Sequence, residues 1–337
     1  MRAIGERTTV VILYGLRLLR DAASLSTNSL PPPRVLANLL AGAPQSPGDS
    51  APALIMPCCY DGLTARLVAR AGFPLTFMTG FGVSASRGFP DAGLISFEEM
   101  RSSASAVAEG LSGAAAPGTA PIPCIADGDT GYGNAVNAKR TVAGYARAGM
   151  AGVMIEDQVS PKRCGHVGGK SVVGRAEAVA RVKAACDARD EYAENYGQGT
   201  GPLVLARTDA LVGLGFEEAV ERCVAFREAG ADMTFLEAPT TIREMREYCE
   251  AVDGPKLANM LEGGSTPVLT PHELGEMGYT MAAYPLTLLS ASIKAMENVL
   301  EKIRDGKTTD DLIKTFEETK DVVGFTSYGE EEMKYRS

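Results

Sequence analysis

Residues 160–170 read SPKRCGHVGGK and place a thiol, an imidazole and three cationic side chains within eleven positions: Lys162, Arg163, Cys164, His166 and Lys170. Five of the eleven are Gly, Pro or Ser, the composition of a loop. Nearby cations lower a thiol pKa, so Cys164 is a candidate proton donor and acceptor. A zinc clip needs more N or S ligands than the segment offers, because the other histidine, His272, stands far along the chain at an apparent helix start. What stays open on these residues is a lid over the preceding acidic strand end or a surface loop with an incidental cysteine.

A second group is acidic. IADGDTGYGNA (125–135) carries Asp127 and Asp129 two residues apart, a spacing that puts both on one face of an extended strand. Together with Glu156 they form an all-oxygen donor set suited to Mg2+ or Mn2+, directly or through water. The alternative is a glycine-rich turn with solvated aspartates. Asp91, in GFPDAG, is a further carboxylate. GFGVSA (80–85) has the G-x-G-x-x-A form of a dinucleotide fingerprint. The following SRGFPDAG breaks a helix, however, so nicotinamide binding is not expected. The backbone N–H groups of Thr79, Gly80 and Phe81 are candidates for holding a carboxylate instead.

Residues of this kind must be carried by regular elements, and one joint recurs: RAGFPLTFMTG (70–80), RAGMAGVMIED (147–157), EAGADMTFLEA (228–238) and EMGYTMAAYPL (276–286). Each runs from a helical pattern through a glycine and a short link into an apolar strand, as αβ connections do. Eight strands are predicted, at 54–59, 75–79, 122–126, 152–156, 203–207, 233–237, 256–260 and 279–284. Their continuous apolar character fits parallel strands buried on both faces. Alternation with helices predicts an α/β fold, a (β/α)8 TIM-type barrel, with a doubly wound sheet as runner-up. A barrel keeps its chemistry at the C-terminal strand ends, where Thr79, Asp127, Asp129, Glu156, Asp157, Arg207, Asp209, Glu237, Asn259 and Glu262 fall.

The expected division is an N-terminal extension (1–33), a catalytic barrel (34–290) and a C-terminal helical segment (291–337) packing on another subunit. LSGAAAPGTAP (111–121) and DEYAENYGQGTG (190–201) read as solvated loops. The extension holds four arginines, no lysine and two acids, the pattern of a mitochondrial or plastid import segment or of a loosely docked tail. A net charge of −9 argues against nucleic acid as partner. No 18-residue apolar run is present to span a membrane. Seven cysteines without a CxxC pair read mostly as reduced core thiols of an intracellular soluble protein.

Taken in order, DGDTGYGNAVNAKRTVAGYARAGMAGVMIEDQVSPKRCGHVGGK, FMTGFGVSASRGFPDAGLISFEEM, LARTDA, LANMLEGGSTPVLTPHELGEMGY and AAYPL resemble the isocitrate lyase/phosphoenolpyruvate mutase superfamily over about 34–335. They look closest to its petal-death-like and carboxyvinyl-carboxyphosphonate phosphorylmutase-like branch. The resemblance implies a barrel whose eighth helix is exchanged between paired subunits of a homotetramer. It implies Mg2+ near Asp91, Asp127, Asp129 and Glu156, largely through water, and a small dicarboxylate on that ion and on the Thr79–Gly80–Phe81 backbone. Arg207 would pair with a carboxylate, and Glu237 and Asn259 would complete the pocket. The Lys-Arg-Cys-Gly-His segment is the version that C–C lyases carry, which implies a lid with Cys164 as general acid/base supported by His166, Lys162 and Arg163. The expected activity is therefore cleavage of a 2-hydroxy or 2-oxo dicarboxylate, a 2-alkylmalate or oxaloacetate. Alternatives are a phosphonomutase and a methylisocitrate lyase, the latter disfavoured because Met154 stands where such lyases tend to have histidine.

Overall fold

A computed structural model describes residues 30–115, 119–163 and 171–336. Its eight strands are β1 (Leu54–Cys59), β2 (Thr76–Met78), β3 (Cys124–Asp127), β4 (Gly152–Glu156), β5 (Leu203–Thr208), β6 (Met233–Leu236), β7 (Leu257–Asn259) and β8 (Met281–Tyr284). All neighbouring pairs are parallel, and β1 pairs with both β2 and β8. β6 and β7 meet only through the single bridge Thr234↔Lys256, so the barrel is nearly closed with a seam at that point. The predicted strands are all present, shorter than expected by one or two residues at several ends.

Every residue of β2, β3, β4 and β6 is buried, as the continuous apolar runs required. One face of the strands fills the barrel: Met56, Phe77, Ile125, Met154, Leu205, Met233, Phe235 and Met281 cluster there with Leu36 and Leu40 of α1 (Pro32–Ala41), the first helix among the described residues. The joint glycines are required by geometry, because Gly72, Gly149, Gly230 and Gly278 have φ of 81°, 86°, 102° and 98°. Capping boxes start the helices at Asp61/Thr64, Thr241/Glu244 and Thr270/Glu273.

Two expectations need correction. The segment 190–201 is not a solvated loop: the helix Arg175–Tyr196 continues through most of it. Its Glu, Ala and Tyr residues suit a helix, and Tyr192 and Tyr196 meet one turn apart, ring centroids 4.4 Å away. The breakers after GFGVSA act as read: the short helix Gly80–Ser86 stops at Arg87, where they begin. Asp127 and Asp129 do not share a strand face, since β3 ends at Asp127 and Asp129 takes a left-handed φ of 47°.

After β8 the long helix Thr287–Arg304 buries only Leu289. Ile293, Met296, Leu300 and Ile303 are 45–63% exposed along one stripe. Among the described residues no helix is long and apolar enough to cross a membrane.

Candidate active site

The C-terminal strand ends surround a cavity of about 70 Å³, room for a few waters. Its lining includes Thr79, Phe81, Asp91, Asp127, Lys162, Arg163, Arg207, Glu237 and Asn259, with Cys58, Phe77, Met154, Phe235, Leu257, Leu261 and Leu286 as an apolar wall.

The acidic side is tightly knit. Asp129, turned by its left-handed backbone, donates its N–H to Asp127 Oδ1 at 2.9 Å, while Tyr132 Oη donates to Asp129 Oδ2 at 2.9 Å. Asp127 Oδ2 accepts from Gly80 N–H at 3.2 Å. A Cβ on Gly80 would stand 2.6 Å from that oxygen, so only glycine leaves room for the carboxylate. Burial, reinforced by the charge of Asp129, pushes the Asp127 carboxyl up to about 6. Burial also raises Glu156 well above the usual carboxylate range, against the opposing charge of Arg207.

Lys162 enters this cluster from the segment after β4. Its Nζ lies 2.5 Å from Asp91 Oδ1 and 2.7 Å from Asp129 Oδ1, all three side chains being buried. Burial disfavours the ammonium, but Asp129, Asp127, Asp91 and Glu156 together outweigh it and hold Lys162 well above its ordinary pKa.

Arg207 is ringed by carboxylates. Nε and Nη2 donate to Asp209 at 2.8 and 3.0 Å, a two-point grip, and Glu156 and Glu237 lie at 3.4 and 3.3 Å. Its guanidinium carbon also stands 5.2 Å over the Phe235 ring. Asn259 Nδ2 reaches Glu237 Oε1 at 3.5 Å, linking β7 to β6 across the seam.

The structure thus brings Asp91, Asp127, Asp129, Glu156, Lys162, Arg163, Arg207, Glu237 and Asn259 to one end of the barrel. Cys164, His166 and Lys170 lie outside the described residues. The Thr79–Gly80–Phe81 backbone offers less than expected, because the Thr79 N–H is bonded to Cys59 O at 3.0 Å and the Gly80 N–H to Asp127. Among the described residues no three His, Cys, Asp or Glu side chains are placed to hold a metal ion between them. Even so, the acidic set fits a hard cation approached through water. Its donors are all oxygen, and Glu156 Oε1 is buried with no hydrogen-bond partner among the described residues.

Reading the sequence missed a buried layer beneath these groups. Asp157 accepts from Thr208 Oγ1 (2.6 Å), Asp209 N–H (2.9 Å) and Arg222 Nη1 (2.9 Å). Arg181 Nη1 donates to the carbonyls of Glu156 (2.9 Å) and Gln158 (3.1 Å). The available signal was Arg222, a charge among Ala219, Cys223 and Phe226 on the buried face of its helix.

The family model for phosphoenolpyruvate phosphomutase matches residues 48–304. The chain belongs to this family. Within the wider isocitrate lyase/phosphoenolpyruvate mutase superfamily, it is 40% identical over 288 residues to 2,3-dimethylmalate lyase of Eubacterium barkeri, covering 84% of this chain and 93% of that protein. It is 41% identical over 289 residues to the chloroplastic carboxyvinyl-carboxyphosphonate phosphorylmutase of Arabidopsis thaliana, covering 84% and 80%. The solved structure of oxaloacetate acetylhydrolase with the inhibitor 3,3-difluorooxalacetate superposes with a TM-score of 0.79 at 34% identity, covering 89% of this family member and 95% of that chain.

Proposed function

We propose that this protein is a divalent-cation-dependent lyase or hydrolase that breaks a C–C bond in a small 2-hydroxy or 2-oxo dicarboxylate, of the 2-alkylmalate or oxaloacetate type. The observation that carries the reading is the cavity's mixed lining. Asp91, Asp127 and Glu237 line it with three cations, Lys162, Arg163 and Arg207, and with the apolar side chains of Phe77, Met154, Phe235, Leu257 and Leu261. Such apolar surface accepts an alkyl-bearing carbon while the charged groups fix carboxylates. The similarity to 2,3-dimethylmalate lyase and oxaloacetate acetylhydrolase supports the same chemistry.

Asp91, Asp127, Asp129 and Glu156 would hold Mg2+, or Mn2+, largely through water. When bound, the ion supplies Lewis-acid stabilisation of negative charge on the substrate's oxygens. Lys162 and Arg163 face the cavity to bind and orient the carboxylates. In a malate-type substrate Glu237 takes the 2-hydroxyl proton, the C2–O bond becomes a carbonyl and the C2–C3 bond breaks. The electron pair stays with C3 and its carboxylate until C3 receives a proton. Cys164, supported by His166, is the acid in this reading, assigned from the sequence motif. A phosphonomutase is the second reading, favoured by the Arabidopsis relative; it needs no proton donor at the position of Cys164.

The assay that tests this follows 1H NMR product signals with Mg2+ from oxaloacetate, 2-methylmalate, 2-ethylmalate, 2,3-dimethylmalate, methylisocitrate and isocitrate. A 2-oxo acid, or oxalate with acetate, is expected, and EDTA should remove all turnover. Turnover that survives EDTA would sink the metal reading; a phosphonate product in 31P spectra would favour the mutase.

The stripe of Ile293, Met296, Leu300 and Ile303 is read as an interface with a second copy, within a homotetramer whose last barrel helix is exchanged. Light scattering of the full chain should give the mass of four copies, and a monomer would end that part of the reading.

A further inference from the structure

Gln158 is only 1% exposed although it lies on the loop leaving β4. Both functions of its amide are used on a single residue: Arg163 N–H donates to Oε1 at 3.0 Å, and Nε2 donates to the Arg163 carbonyl at 2.9 Å. This pair copies the two-bond exchange of opposed strand residues and closes residues 158–163 into a ring. Gln158 is itself fixed from behind. Its carbonyl accepts from Arg181 at 3.1 Å, and its backbone bridges Val172. The ring carries Lys162, whose ammonium points to Asp91 and Asp129. The loop after β2 seats the same turn, for a Cβ on Gly93 would stand 3.2 Å from both Lys162 N and Pro161 Cβ.

We propose that Gln158 is a positioning residue that holds Lys162 as the resident counter-cation of the Asp91 and Asp129 carboxylates, so that this ammonium and a divalent ion compete for the same oxygens. The inference rests on the reading of those carboxylates as a divalent-cation site. A buried unit charge is poorly screened, so an arriving dication must displace the ammonium from both carboxylates. Once displaced, Lys162 turns its charge toward the substrate's carboxylate. Gln158 sets how readily it moves, because the amide anchors the chain one residue beyond the lysine.

The test is Mn2+ binding to the full chain without substrate, read from the electron paramagnetic resonance signal of the free ion. Lys162→Met is expected to tighten Mn2+ binding by at least about tenfold, as removal of a like charge at contact distance requires. Gln158→Met, which keeps the buried volume but neither hydrogen bond, should tighten it in the same direction by a smaller factor. In the Lys162→Met background, Gln158→Met should change nothing further. Gln158→Ala serves as a second variant, with circular dichroism checking that each protein folds. Unchanged Mn2+ affinity in Lys162→Met overturns the counter-cation. A Gln158 effect that persists without Lys162 overturns the positioning role and leaves a structural one. A wild-type chain that binds no Mn2+ overturns the metal-site reading itself and this inference with it.

Discussion

Arg207→Met is expected to abolish turnover and to lower stability by about 3–5 kcal/mol, the usual cost of leaving a buried charge without its partner. The size follows from how many partners are lost at once. Glu156, Asp209 and Glu237 have side chains at most 2% exposed, and all three lie within 3.4 Å of the guanidinium. Methionine keeps much of the volume and the contact with Phe235 but none of the charge. Arg207→Lys separates the two contributions, because an ammonium keeps the charge without the two-point grip on Asp209. Urea unfolding midpoints and the product assay read both variants. A methionine variant within about 0.5 kcal/mol of wild type, in the range of ordinary surface substitutions, would show that the carboxylates protonate or rearrange at little cost.

Cys164→Ala is expected to reduce C–C cleavage by about 10²–10⁴-fold, the usual contribution of a positioned general acid. Mn2+ and oxalate binding should be unchanged, because neither requires proton transfer. A loss of this size confined to kcat places the thiol in the chemical step. Cys164→Ser tests the acidity of the group, since a hydroxyl of similar size is a far weaker acid. Turnover retained within about tenfold in the alanine variant would transfer the proton to another group and remove the main argument against a phosphonomutase.

The barrel was legible because its signals are local and repeated. Four helix–glycine–strand joints recur in the sequence, and at each the glycine takes the backbone angle that other residues avoid. The charged strand ends were legible for a similar reason, since an apolar run that stops at Asp127, Glu156 or Arg207 delivers its charge at one mouth of a parallel barrel. The finer geometry of the site was not legible, because it depends on partners distant in sequence. Asp127 and Asp129 come together through a left-handed turn instead of strand alternation. The Thr79 and Gly80 N–H groups are taken by Cys59 and Asp127, contacts visible only once β1 and β3 flank β2. The helix through 190–196 was hidden by its acidic, polar composition, which a surface helix and a loop share.

The seam between β6 and β7 divides the barrel mouth into two mechanically different halves. β2 to β5, which carry Asp127, Glu156 and Arg207, are bonded strand to strand and backed by the Asp157, Arg181 and Arg222 layer. Phe235 and Leu257 face the cavity from the two sides of the seam, joined by one bridge and the long Asn259–Glu237 contact. Local opening is easiest where few backbone hydrogen bonds resist it. On the proposed function, the part of a substrate's alkyl group that packs on Phe235 and Leu257 would meet the compliant edge of the mouth, while Asp127 and Glu156 stay on the stiff half. Substitutions at Phe235 or Leu257 would therefore reshape the pocket where the barrel yields most, and leave the carboxylates of β3 and β4 undisturbed.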